Sequence, residues 1–255
     1  MEGAVPASVA IVGLGPSLET YVDLCRRLGG RRKLAAETWA VNALGDVIAC
    51  DRVFHMDDVR IQEIRAGAAP DSNIAAMLAW MKTHPGPIYT SRPHPDYPGL
   101  VDYPLEDVIN GLGEAYFNST IAYAVALAIH LGVGEIQLYG SDFTYPNSGH
   151  AEKGRGCVEF WLGQAIARGI DVQLPSATSL MDRCEGMPLY GFGALGSQDV
   201  RLATDEAGRV RVIRTDRPTL PTAAEIEAAY DHSAPVSVQT AAAASHPRAS
   251  GDAAT

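Results

Sequence analysis

The stretch Ser8-Val9-Ala10-Ile11-Val12-Gly13-Leu14-Gly15-Pro16-Ser17-Leu18 decides the fold. An apolar run ends in two glycines, a proline and a serine, and a helical pattern then begins. A buried parallel strand reads this way when it opens onto a helix N-terminus. Gly13 and Gly15 would let backbone N–H groups approach an anion, Pro16 suits the first helical turn, and Ser17 is a local cap. A tight strand-to-helix turn without a ligand explains the same residues. Pro16 and Ser17 also depart from the usual dinucleotide fingerprint.

Outward from this turn, apolar runs alternate with helical periods, the mark of an α/β fold. Strands are expected at Ser8–Gly13, Thr38–Asn42, Arg52–Met56, Pro87–Thr90, Glu135–Gly140 and Ile170–Leu174. Helices are expected after Pro16, from Asp71 to Thr83, over Ile121–Leu131, and over about Ala151–Arg168. Ser91–Pro104 holds four prolines and reads as an irregular loop. The predicted architecture is a Rossmann-like, doubly wound, mostly parallel sheet over residues 1–190. A hairpin and helix appendage (191–232) follows, its turn at Asp205–Gly208, and then a tail (233–255) whose Ala/Ser/Pro/Thr composition predicts disorder.

Composition narrows the function classes. The chain has 255 residues, 47% of them hydrophobic, and a formal net charge of −10. An acidic chain offers no general field for a polyphosphate backbone, so a stable nucleic-acid coat is not expected. The basic run from Arg26 to Lys33 sits at a helix end, where cations favour the dipole. The four cysteines are widely spaced with no C-x-x-C pair, which argues against zinc and a disulfide framework. No signal peptide or membrane-length apolar run stands out, so a cytoplasmic protein with no membrane partner is expected.

In open parallel sheets, ligands bind outside the carboxyl ends of the strands. Here those ends carry Gly13–Ser17, Asn42, Asp57-Asp58, Ser91-Arg92, Ser141-Asp142 and Ser176. Their recurrence points to a site for a phosphate-bearing ligand, although each alone reads equally as a turn or cap. Asn42 can donate and accept toward a base or sugar. The vicinal Asp57 and Asp58 could hold Mg²⁺, orient a hydroxyl or pair with Arg60. Vicinal carboxylates point in different directions, so only one is expected to face a ligand, and a helix cap explains the pair equally well. Asn118-Ser119-Thr120 offers hydroxyls and free amides at a helix start. Phe143 and Tyr145 can stack on a base or simply cover the sheet end. His150 follows the loop Pro146–Gly149, and a neutral imidazole there can take a proton from an acceptor hydroxyl. Arg155 either clamps an anion or pairs with Glu152 or Glu159. His55, His84, His94 and His130 show no comparable setting.

These motifs together resemble the bacterial sialyltransferase-like superfamily. Ile11–Leu18 is similar to its G-x-G-P-S-L opening, which also marks motility accessory factor glycosyltransferases and the MptE-like domain of archaeal hydroxymethylpterin diphosphokinases. Val41-Asn42, Asn118–Leu131, Glu135–Phe143, His150 and Leu174–Ser176 continue the similarity over residues 8–180, and uncharacterised phage-encoded proteins look alike. The resemblance implies a glycosyltransferase with a CMP-sugar-like nucleotide donor. Gly13, Gly15, Pro16, Ser17, Asn42, Asn118, Ser119, Thr120 and Ser141 would hold the nucleotide. His150 and Asp142 would be the catalytic residues, His150 as the base, and no metal or other cofactor would be essential. Leu14 departs from the family's common asparagine, and no paired-tyrosine phosphate clamp is evident beyond Tyr139, Tyr145 and Tyr190. The MptE-like alternative implies ATP and Mg²⁺, with Asp57, Asp58 and Asp142 facing the metal. A non-enzymatic nucleotide-binding protein is a third reading. The acceptor (glycan, protein or modified DNA base) and any homo-oligomer stay open.

Overall fold

The computed structural model describes residues 4–144, 148–185, 189 and 196–229. The expected tail, Tyr145, Tyr190, and Pro146 and Asn147 of the loop before His150 lie outside them. The chain divides into two units, Met1–Leu180 and Met181–Thr255.

The first unit is built on seven parallel strands: β1 (Ser8–Val12), β2 (Glu37–Val41), β3 (Arg52–Phe54), β4 (Ile88–Thr90), β5 (Leu100–Asp102), β6 (Glu135–Tyr139) and β7 (Asp171–Gln173). Their order is β5-β4-β3-β2-β1-β6-β7, so the chain winds outward from β1 and returns to its other side. This is the α/β, Rossmann-like, doubly wound fold expected. The helices are α1 (Leu18–Leu28), α2 (Arg31–Leu34), α3 (Val59–Ala68), α4 (Asn73–Met81), α5 (Leu105–Leu112), α6 (Thr120–Leu131) and α7 (Ser148–Ala167).

Alternation along β1 shows why both faces are covered. Val9 and Ile11 pack into the cluster formed with α6 and α7, while Ala10 and Val12 pack with Tyr21 of α1. All four are fully buried. Burial of Val9, Ile11 and Val12 contributes about 1.5–3 kcal/mol each, which explains an uninterrupted apolar run. α6 carries eight buried residues, four of them alanines that let it lie close against the sheet. Its ends are well formed. The Ser119 hydroxyl accepts the Ala122 N–H, and Gly132 closes it at φ 78° in the left-handed region.

Four of these elements lie outside those expected. α2 is a single turn after Gly30. α3 buries Val59 and Gln62 while leaving Ile61 and Ile64 exposed, which inverts the pattern of an amphipathic helix. α5 follows Pro104 and ends at Gly113. The proline-rich loop contains β5, a three-residue edge strand hydrogen-bonded to β4.

In the second unit, β8 (Gln198–Thr204) and β9 (Val210–Asp216) form the expected antiparallel hairpin, followed by α8 (Ala223–Ala229). Asp205 organises the turn, accepting from the Ala207 and Arg209 amides. Among the described residues, no helix is long and apolar enough to cross a membrane.

Candidate functional site

The opening turn is a weld between β1 and β6. The Gly13 N–H donates to the Tyr139 carbonyl and the Gly15 N–H to the Gly140 carbonyl, each at 2.8 Å. A Cβ on Gly13 would stand 2.4 Å from the Gly140 oxygen, and one on Gly15 would stand 2.7 Å from Asp142 Oδ2. Glycine is therefore required here for close approach of two strand exits. Ser17 locks the pair. Its N–H donates to Asp142 Oδ2 at 2.7 Å, its hydroxyl donates to Asp142 Oδ1 at 2.6 Å, and its Oγ accepts the Gly140 N–H at 2.7 Å. Ser17 and Asp142 are buried.

The donors expected to cradle an anion at Gly13, Gly15 and Ser17 are thus used within the protein. Asp142 has its carboxylate taken by Ser17, and its carbonyl accepts from the Ser179 hydroxyl. Ser141 is buried and its hydroxyl donates to the Tyr139 carbonyl. Pro16 is exposed beside Leu18 and Glu19 on the outer side of α1.

Polar residues from two other strand exits and two helix starts come together elsewhere, in a cavity of about 420 Å³ at the carboxyl end of the sheet, which Ser91, Arg92 and Ser176 do not line. Asn42 after β2 and Asp57 after β3 line one side. Asn118, Ser119 and Thr120 at the start of α6 line another, and His150 in the first turn of α7 also borders the space. Phe117, Tyr123 and Phe143 add aromatic surface. The two aspartates part: Asp57 borders the cavity, whereas Asp58 caps α3 by accepting the Arg60 N–H. Arg155 is not a lining residue and pairs with Glu159 at 2.9 Å.

Local structure fixes these groups. α6 begins at Thr120, so the amides of Thr120 and Ile121 have no carbonyl to bond within the helix, and both residues border the cavity. The helix dipole adds positive potential there. The preceding loop is held by α7: Trp161 Nε1 donates to the Tyr116 carbonyl at 2.7 Å, the Cys157 thiol donates to the same oxygen, and the Asn118 N–H donates to Cys157 Sγ. Phe117 stacks on Tyr123 at 4.4 Å and on Trp161 at 5.2 Å. Phe143 sits at φ 49°, and its ring lies where a Cβ on Gly154 would be, 2.5 Å from Cε1. Burial pushes the Tyr123 hydroxyl up from its ordinary value, so it is neutral and able to donate.

The sequence reading passed over His55. It is 1% exposed, and its Nδ1 lies 3.1 Å from Asn42 Oδ1. Tyr139 stands away from the cavity, packed on Tyr21 with its hydroxyl donating to Gln137. Among the described residues, no group of three or more His, Cys, Asp or Glu side chains is arranged to hold a metal ion.

No family model matches the chain, and no curated protein matches it. Among solved structures, it is similar to the sialyltransferase CstII from Campylobacter jejuni. The complex of that enzyme with cytidine-5'-monophosphate aligns at 19% identity over 66% of this chain and 79% of that one, with a TM-score of 0.37. Its complex with CMP-3FNeuAc aligns at 17% identity over 87% of this chain and 98% of that one, with a TM-score of 0.43.

Proposed function

We propose that the chain is a glycosyltransferase that moves a sugar from a nucleotide-activated, CMP-sugar-like donor to a hydroxyl acceptor. One observation carries the reading: Asn42, the amino end of α6, an aromatic wall and His150 share one cavity. The amides of Thr120 and Ile121, with the dipole behind them, suit a phosphate. Asn42 and Phe143 suit a base and its edge, one by hydrogen bonding and one by stacking. His150 takes the proton from the acceptor hydroxyl as that oxygen attacks the anomeric carbon. The bond from that carbon to the phosphate oxygen breaks, and the electron pair leaves with the nucleotide. The negative charge then developing on the phosphate is what the end of α6 is placed to stabilise. The motif resemblance over residues 8–180 supports sugar transfer. In this reading Asp142 contributes by positioning, since it ties β6 to α1.

The test is titration of the purified protein with CMP, UDP-sugars, and ATP with and without Mg²⁺. CMP is expected to bind best, and His150→Ala is expected to lower sugar transfer by 10²–10⁴-fold, the usual share of a general base. Tighter binding of ATP with Mg²⁺ would instead favour a diphosphotransferase. Asp57 is the specific observation on that side, being a carboxylate that reaches the cavity. Asp58 and Asp142 are engaged elsewhere.

A further inference from the structure

We infer that His55 is a positioning residue: it holds the Asn42 amide so that the NH₂ group faces the cavity and the ligand atom bound there must be a hydrogen-bond acceptor. The inference rests on the reading above only in taking a nucleotide as the ligand.

His55 directly follows β3 and lies one residue beyond the paired Phe54 and Tyr89. It is buried and is not a lining residue of the cavity; its hydrogen bond to Asn42 and the charge of Asp57 link it to two residues that are. Its Nδ1 meets Asn42 Oδ1 at 3.1 Å, while its Nε2 is buried with no hydrogen-bond partner among the described residues. A neutral imidazole has one donor and one acceptor nitrogen, so two arrangements are open. If Asn42 donated to Nδ1, the imidazole proton would sit on Nε2 as a buried donor with no acceptor. If Nδ1 carries the proton, it donates to Oδ1, and Nε2 is left with only an unfilled lone pair. Buried orphan N–H groups are the rarer and costlier defect, so the second arrangement is adopted. Burial also pushes the His55 pKa down, against the opposing charge of Asp57, which keeps the ring neutral.

With Oδ1 occupied, trigonal geometry turns Nδ2 away from His55. The backbone of Asn42 is itself fixed at φ 54°, a left-handed conformation that asparagine tolerates better than most residues. Asn42 thus becomes a donor, like the amides at the start of α6. The ligand must meet this side of the cavity with acceptors. A pyrimidine carbonyl or ring nitrogen, or a phosphate oxygen, satisfies that demand.

The test has two arms. Long-range ¹H–¹⁵N correlation spectra of ¹⁵N-histidine-labelled, ligand-free protein read the tautomer directly. A protonated Nδ1 and a pyridine-like Nε2 are expected for His55, and the reverse assignment overturns the inference whether or not any nucleotide binds. Calorimetric titration with CMP reads the consequence. His55→Leu, which fills the space without a donor, is expected to weaken CMP about tenfold or more. His55→Asn, whose Nδ2 mimics the imidazole Nδ1, is expected to stay within about threefold of the wild type. Undiminished CMP binding by folded His55→Leu, or an equal loss in both variants, overturns it. If the wild type binds no CMP, the nucleotide reading fails, and the tautomer alone decides the role of His55.

Discussion

Ser17→Ala separates a weld from an anion cradle. The serine hydroxyl accepts the Gly140 N–H and donates to Asp142 Oδ1, and all three groups are buried. Removing it leaves a buried N–H without an acceptor, at about 1–3 kcal/mol. It also strips one donor from a buried carboxylate, and hydrogen bonds to charged groups contribute about 1.5–3 kcal/mol. Alanine adds no strain, because it only removes an atom. The Ser17 N–H continues to hold Asp142 Oδ2, so the upper end of the sum is not reached. We expect a loss of about 3–4 kcal/mol, or about 6–16 °C in Tm for a unit of this size. Urea denaturation followed by tryptophan fluorescence, with calorimetry for Tm, measures it. CMP affinity in the folded variant should change less than about twofold, because the ligand-facing donors lie at α6. A stability loss below about 1 kcal/mol combined with tenfold weaker CMP binding would refute the weld and restore the cradle.

Gly140→Ala places a Cβ 2.0 Å from the Gly13 carbonyl oxygen at a residue with φ 64°. This variant is expected to be insoluble on expression, or to lose more than about 4 kcal/mol; near-native stability would contradict the packing described. Gly154→Ala brings a methyl group against the Phe143 ring, within a helix that gains about 0.5–1 kcal/mol from the same change. Stability should stay within about 1 kcal/mol of the wild type while CMP binding weakens severalfold, as titration calorimetry would report. Asp51 accepts from the Thr38 amide at 2.8 Å and from Arg31 and Arg32, tying β2 to α2. Burial opposes its ionisation, but those donors prevail and hold its pKa below the usual carboxylate value. Its stabilising contribution is therefore present at neutral pH and lost as pH falls through that depressed value. Denaturation curves of Asp51→Asn and wild type should differ at pH 7, and the difference should begin to shrink only below about pH 4 and vanish below the depressed value.

The sheet was legible where burial on both faces left a continuous apolar run, as in β1 and β6. The hairpin was legible from Asp205–Gly208, and α6 from its small residues between Ser119 and Gly132. α3 was hidden because Ile61 and Ile64 face solvent while Gln62 is buried, so its periodicity misleads. Edge strand β5 was hidden because three residues among prolines carry no pattern. Within the site, polarity at strand exits picked out Asn42 and Asp57, and helix starts picked out Asn118–Thr120 and His150; all share one cavity. It also picked out Ser17 and Asp142, whose mutual attraction across 125 positions no local pattern records. His55 was passed over for a related reason. A histidine after an aromatic strand reads as core, and its partner, Asn42, follows the neighbouring strand.

The weld also orders events as the chain emerges during synthesis. β1 has one neighbour, β2, within reach at once, but its other neighbour is β6, and the turn after β1 has no acceptors until residues 139–142 exist. Until then one edge of β1 is open and the apolar α6 has no complete sheet to cover, which is the exposure that chaperones and aggregation compete for. Closure is a late, long-range event, and long-range pairing is slow. Pulse-labelled hydrogen exchange during refolding should find the Gly13 and Gly15 amides among the last to gain protection. The turn that opens the sequence is, in time, the one that closes the fold.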